Sequence, residues 1–306
     1  MSIPYFKTKN KRGNWSISDS LIVYVLEILL ICDIICSEGD TYMSNKAKIR
    51  KDAMSLNPID DALFCKMAED IRFCEEILQV ILSDKNLVVL SNVPQFVAKN
   101  MQGRSCTLDL KCTLGNGKFV NVEIQRADDD NHQKRVLYNS ALLITNIMNP
   151  GIKFEQVPDV IVVFISAFDI FNQGKTVYHI ERTIKETGNI VTNGMEEIYV
   201  NAAIDDKSDI ADLMKVFTEN DTYDDDKFPI TSSSKRRFKT TEEGVKEMCE
   251  VIEKNREEAV KEAKEEMALD MMADNEPVNK ILKYSKLALS RIQELASQNG
   301  YTLVTE

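Results

Sequence analysis

Histidine is nearly missing from this chain of 306 residues, which has only His132 and His179. That excludes a histidine-rich metal centre, and each ring reads as an ordinary surface or strand residue. Paired cysteines are missing too. The seven cysteines are Cys32, Cys36, Cys65, Cys74, Cys106, Cys112 and Cys249, odd in number, scattered and without a CxxC motif. They indicate neither a disulfide framework nor a zinc site, and free thiols fit a reducing cytoplasm, the expected location. Long apolar runs are scarce. The most apolar stretch, LIVYVLEILLICDIIC at 21–36, is 16 residues long, contains Glu27 and Asp33, and follows Lys7, Lys9, Lys11 and Arg12. An Asp near a bilayer centre costs about 2.5–3.5 kcal/mol, so no membrane span is expected. The stretch reads as an amphipathic helix or as sequence outside the native protein, with Met43 as an alternative start.

An excess of positive charge is also lacking. Net charge is −11, which at first argues against a nucleic-acid partner. The acidity is uneven, however. Residues 43–175 hold 16 Lys and Arg against 16 Asp and Glu, whereas residues 176–306 hold 18 against 28. A basic face in the first of these segments remains open. Hydrophobic and charged fractions of 43% and 28% are those of a soluble globular protein able to bury a sizeable core.

The most informative stretch is 108–125, LDLKCTLGNGKFVNVEIQ. Leu108, Leu110, Cys112 and Leu114 alternate with Thr107, Asp109, Lys111 and Thr113, and Val120, Val122 and Ile124 alternate with Asn121, Glu123 and Gln125. Period-two alternation predicts two half-buried strands, with the polar face available for chemistry. If Gly115-Asn116-Gly117 forms the loop, with Gly117 left-handed, Leu110 pairs with Val122, Cys112 with Val120, and Asp109 with Glu123. A tighter Asn-Gly turn would place Asp109 opposite Ile124 and break the apolar face. Facing carboxylates repel by roughly 0.2–1 kcal/mol, and a divalent cation reverses the sign of that interaction. Asp109 and Glu123 are therefore candidate ligands for Mg²⁺ or Mn²⁺. A solvated polar face carrying the same two acids is the alternative, and the hairpin alone does not choose between them.

The order of elements bears on that choice. Ala62, Leu63, Met67, Ile71, Cys74, Leu78 and Leu82 recur at helical spacing after Asn57-Pro58. A short β-rich run at Leu87–Leu90 precedes the hairpin. A helix is predicted over Asn131–Met148, with Val136, Leu137, Leu143, Ile144 and Ile147 on one side, then a buried strand at Val160–Ile165. Further strands are predicted over Val177–Thr183 and Glu196–Val200. With Asp109 and the run Glu123-Ile124-Gln125 on its hairpin, this order resembles that of the PD-(D/E)XK nucleases. The chain is similar in particular to the PD-(D/E)XK nuclease family of transposases, also described as recombination-promoting nucleases. The likeness covers roughly residues 60–256. It rests on IDDALFCKMAED, LDLKC, NVEIQRADDDNHQKRVLYNSALL, VYHIERTIKETG, EEIYVN, DLMKVF and RFKTTEEGVKEMCEVIE in that order. The chain departs around residues 222–234, which look shortened.

The resemblance implies an α/β fold, a restriction-endonuclease-like core of mixed sheet flanked by helices, followed by a C-terminal helical tail. It implies a metal-dependent DNA endonuclease that hydrolyses phosphodiester bonds and is associated with recombination or mobile DNA. Asp109, Glu123 and Gln125 would be its catalytic residues, with Mg²⁺ or Mn²⁺ on Asp109 and Glu123. Asp61 is the candidate additional acid, with Glu75 and Glu76 as alternatives. Gln125 orients a water or a phosphate oxygen but lacks the charge of the usual Lys, so slower turnover is expected. Arg126, Lys134 and Arg135 flank the site as candidate DNA contacts, with Tyr138 on the helix face near them. Lys235, Arg236, Arg237 and Lys239 form the densest basic cluster, a DNA-backbone contact or a solvated loop. No RNase-H-like acidic triad and no helix-turn-helix is recognisable, so complete transposition is not implied. The competing reading is a catalytically weak or inactive nuclease fold that binds DNA or protein as a scaffold.

Thr241–Ala273 is predicted as a charged helix and Ile281–Leu295 as a second amphipathic one, packing on the domain or joining copies into a homo-oligomer. The expected layout is an N-terminal extension at 1–42, a nuclease-like domain at 43–240 and a helical region at 241–306. A chain beginning at Met43 is expected to match the full chain in Tm and activity. A drop in Tm of several degrees would assign residues 1–42 a structural role.

Overall fold

In a computed structural model the described residues are 8–9, 15–16, 45–100, 103–128 and 131–304. The chain divides into two units, 1–51 and 52–306. In the first, Thr8–Lys9 (β1) pairs antiparallel with Trp15–Ser16 (β2). The helix expected within 21–36 lies outside the described residues. A helix, α1, runs over 45–55. None of the described helices is long and apolar enough to cross a membrane.

The second unit is built on a mixed sheet of six strands in the spatial order 89–98, 106–114, 119–125, 160–166, 195–201 and 177–180. Before it come α2 (Asp61–Met67) and α3 (Ile71–Ile81). The periodicity predicts one continuous helical run here, but the chain breaks where the Asp70 carboxylate accepts the Arg72 amide at 3.0 Å and starts α3 afresh. Strands β3 (Val89–Ala98), β4 (Cys106–Leu114) and β5 (Phe119–Gln125) form an antiparallel meander. Helix α4 (His132–Ile147) then crosses to β6 (Val160–Ser166), which lies parallel to β5. Next come β7 (Val177–Ile180), the small pair β8 (Arg182–Thr183) and β9 (Ile190–Val191), and β10 (Met195–Asn201), parallel to β6.

The hairpin register follows the turn chemistry. Gly117 is left-handed at φ +83°, the Leu114 amide reaches the Lys118 carbonyl at 2.9 Å, and Leu110 and Cys112 pair with Val122 and Val120. The expected half-burial is not found. All of β5 between its end residues is buried, because β6 flanks it and α4 covers its second face. Alternation along β4 also slips at Asp109. Leu110, Cys112 and Leu114 join the core under α2 and α3, whereas Leu108 joins the one under α4. The twist is concentrated at Gln95 of β3, which lies between the partners of Leu110 and Leu108 and adopts φ +49°.

The larger core holds Phe64, Phe73 and Phe217 with ring centroids 5.8–6.4 Å apart. The smaller gathers Val136, Leu143, Val160, Val162, Phe164 and Tyr199. Leu137, predicted on the apolar side of α4, is instead 61% exposed.

Helix α5 (Asp209–Thr218) is followed by α6 (Pro229–Thr240), where an irregular segment is expected. Pro229 opens α6, and the Glu76 carboxylate accepts the Ile230 and Thr231 amides at 3.0 and 2.7 Å. This helix replaces the solvated loop of the alternative reading, and it removes two of the four basic residues, Lys235 and Lys239, from any DNA contact. Lys235 is fully buried and its Nζ donates to the carbonyls of Val216 (2.9 Å), Thr222 (3.1 Å) and Glu219. Buried Lys239 donates to the Leu56 carbonyl (2.6 Å) and to Asn57 Oδ1 and Asn220 Oδ1. Arg236 pairs with Asp225 and Arg237 with Glu247. Both lysines satisfy loop and helix-end carbonyls that burial would otherwise leave unpaired.

Helix α7 (Glu242–Ala273) packs Val245 and Met248 inward at its start. The single closing helix predicted by periodicity is two, α8 (Val278–Ser285) and α9 (Leu289–Asn299), parted at Lys286 with φ +57°. Together with Ala268 and Met272 of α7 they enclose a small core of their own. Lys235→Ala is expected to lower the unfolding free energy by about 2–4 kcal/mol, the scale of stranding buried hydrogen-bonding groups. Arg236→Ala should leave the urea midpoint nearly unchanged. Equal losses in the two variants would contradict this division.

Candidate active site

Asp109 and Glu123 come together because β4 and β5 part just before them. The ladder ends at the pair Leu110–Val122. Beyond it the Ile124 amide donates to Asp109 Oδ2 at 2.7 Å, so a side chain occupies the place of a backbone acceptor. The second Asp109 oxygen accepts no hydrogen bond among the described residues.

Glu123 is 1% exposed and fully engaged. Its Oε1 accepts from Asn121 Nδ2 at 2.8 Å and Asn139 Nδ2 at 3.2 Å, and its Oε2 faces Arg135 Nη2 at 3.5 Å. Arg135 and Asn139 are one turn apart on α4, so that helix turns a polar stripe toward the strand ends. Asn121 and Asn139 are functional candidates that pattern reading misses. Their signal is faint: an Asn between the apolar Val120 and Val122, and another four residues after Arg135.

Gln125 is tied down at both ends. Its Oε1 accepts from Arg135 Nη1 at 2.9 Å and its Nε2 donates to the Ala127 carbonyl at 2.8 Å. Asp61, on α2, accepts from Cys65 Sγ at 3.0 Å, and the same thiol approaches the Asp109 carbonyl at 3.7 Å. Burial and the neighbouring Asp61 push that thiol's pKa up, which keeps it protonated. Glu75 and Glu76 are spent elsewhere, Glu75 on the Val89 amide at 2.9 Å and Glu76 on the start of α6. Arg126 turns to Asp60. Exposed Lys134 lines a cleft of about 700 Å³ with Arg104, Arg135, Tyr138 and Asn139.

The electrostatics are those of a crowded acidic site. Burial raises Asp109 well above the usual carboxylate range, with the Glu123 and Asp61 charges adding to it. The Ile124 amide and Arg135 oppose the shift without cancelling it. Glu123 is raised by burial and by Asp61, against Asn121, Arg135 and Asn139. A small divalent cation fits this need: hard oxygen donors, an unbonded carboxylate oxygen and excess negative charge in one buried place. No three His, Cys, Asp or Glu side chains among the described residues are grouped closely enough to hold an ion. Asp109 and Glu123 would thus be its protein carboxylates, with waters filling the remaining positions, as Mg²⁺ prefers.

The family model described as PD-(D/E)XK nuclease family transposase matches residues 71–279, over half of the chain. No curated protein and no solved structure matches.

The raised carboxyls carry a stability consequence. An Asp whose folded pKa exceeds its unfolded value of about 3.9 loses stability for the fold as pH rises through the folded pKa. Asp109→Asn keeps an acceptor for Ile124 and removes the charge. It is expected to raise the Tm of metal-free protein by a few degrees at pH 8 and by less at pH 5. A gap of the same size at both pH values, followed by thermal melts, would contradict the raised pKa.

Proposed function

The chain belongs to the PD-(D/E)XK nuclease family of transposases, and from that premise we propose that it is a divalent-metal-dependent DNA endonuclease acting in recombination or mobile-DNA transactions. The observation that carries the reading is the pair of half-buried Asp109 and buried Glu123, set where two strands part and both raised above ordinary carboxylate pKa values. Asp109 and Glu123 would hold a Mg²⁺ or Mn²⁺ here, which would supply charge neutralisation at the scissile phosphate and a more acidic water. Asn121 and Asn139 fix the Glu123 carboxylate, so its orientation is set before substrate arrives. In the hydrolysis, a water oxygen bonds to phosphorus and the bond from phosphorus to one sugar oxygen breaks. That oxygen takes up a proton, and the water gives one up. Lys134 and Arg104 at the cleft favour the phosphate backbone in an otherwise acidic chain.

The engagement of Gln125 by Arg135 and Ala127 favours a second reading, a nuclease fold that holds metal and DNA without turnover. Nicking of supercoiled plasmid separates the two. The protein is expected to nick with Mg²⁺ or Mn²⁺ and to lose at least about 100-fold activity in Asp109→Ala and in Glu123→Ala. DNA binding without nicking, unchanged in either variant, would establish the scaffold.

A further inference from the structure

The motif that names this family ends in a Lys two residues after its second acid, and here that place holds Gln125, which carries no charge. Phosphoryl transfer concentrates negative charge on the phosphate oxygens, and the site already has an excess of carboxylates. A cation aimed at the same place is therefore required from elsewhere. Arg135 meets the requirement on three counts. Its Nη1 lies 2.9 Å from Gln125 Oε1 and its Nη2 3.5 Å from Glu123 Oε2, so the guanidinium spans the acid and the missing lysine's position. Its charge lowers the pKa of both Asp109 and Glu123. Its side chain is also one-third exposed and lines the cleft of about 700 Å³ together with Asn139, the residue that bonds Glu123, so a phosphate can reach it.

Resting on the nuclease reading above, we propose that Arg135 is the catalytic cation of this site, contacting the scissile phosphate, with Gln125 as its positioning residue. The charge that the motif normally mounts on β5 is mounted on α4, and the amide of Gln125 holds the guanidinium against the strand end. Arginine suits this role because its planar fork can donate to Gln125 and to a phosphate oxygen at once, and it stays charged at every relevant pH. Arg126 pairs with Asp60 and Arg104 and Lys134 line the cleft, whereas Arg135 is placed against both Glu123 and Gln125.

A charge-relocation experiment decides it. Plasmid nicking rates would be compared for the parent, Asp109→Ala, Arg135→Gln, Arg135→Lys and the double variant Gln125→Lys with Arg135→Gln. Calorimetry would give the Mn²⁺ Kd of each, and Tm would report folding. Arg135→Gln is expected to lose at least about 100-fold in rate. It should bind Mn²⁺ at least as tightly as the parent, because a competing cation has left Glu123. Arg135→Lys should fall between the two. The double variant, with a cation restored at 125, should recover at least about tenfold over Arg135→Gln. A folded Arg135→Gln that cleaves within about threefold of the parent would overturn the proposal. A double variant no faster than Arg135→Gln would do the same. Weakened Mn²⁺ binding that tracks the loss of rate would reduce Arg135 to a structural support for Glu123. A parent no faster than Asp109→Ala would instead sink the nuclease reading, and this assignment with it.

Discussion

The hydrogen bond from the Ile124 amide to Asp109 holds the rest of the site in place. An antiparallel ladder that continued past Leu110 and Val122 would seat Asp109 and Glu123 as ordinary cross-strand neighbours. By taking the amide onto a carboxylate, the chain ends the ladder without stranding a buried N–H, and both acids stay at the mouth of the parting. The reversal of β4 at Asp109 and the left-handed Gln95 beside it are parts of the same local distortion. Backbone strain at one such residue is of order 1–3 kcal/mol and persists only where the surroundings fix it.

Those surroundings are rigid for identifiable reasons. The aromatic cluster of Phe64, Phe73 and Phe217 locks α2 and α3 under one face of the sheet. The opposite face is closed by α4, whose Val136 and Leu143 are buried while Arg135 and Asn139 point to the carboxylates. Farther away, Lys235 and Lys239 satisfy carbonyls at the end of α5 and near residues 56–57, joining α6 to the core by charge as well as by the apolar packing of Phe238 and Ile230. Lys235 and Lys239 are thus spent on architecture, whereas Arg104, Lys134 and Arg135 are left to line the cleft next to an otherwise acidic site.

How far sequence could lead differs from element to element. The hairpin was legible from its turn to the pair Leu110–Val122, because the turn chemistry fixes that register, but not at the expected Asp109–Glu123 pair, where the ladder has already ended. The buried strand β6 was legible because the six residues Val160 to Ile165 are all enclosed and all apolar. Asn121 and Asn139 were not, since an inward polar residue is recognised only when its partner is known. Residues 235–239 misled for a related reason. A run of four cations reads the same whether its side chains meet solvent or helix-end carbonyls, and only the tertiary path of α6 settles which. The break between α2 and α3 lay within one continuous apolar period, which masked the cap at Asp70.

One consequence follows from the parallel pairing of β5 with β6. Every side chain of the candidate site lies between residues 61 and 139, whereas the strand that buries β5 begins at Val160 and its own partner at Met195. A ribosome releasing this chain therefore presents all the acids well before the sheet that arranges them can close. An interrupted product ending after α4 would hold the whole set of reactive groups with β5 lacking its neighbour, its acids solvated and unaligned. The candidate site is therefore fully framed only in a chain completed through β10, the second strand of the parallel pairing.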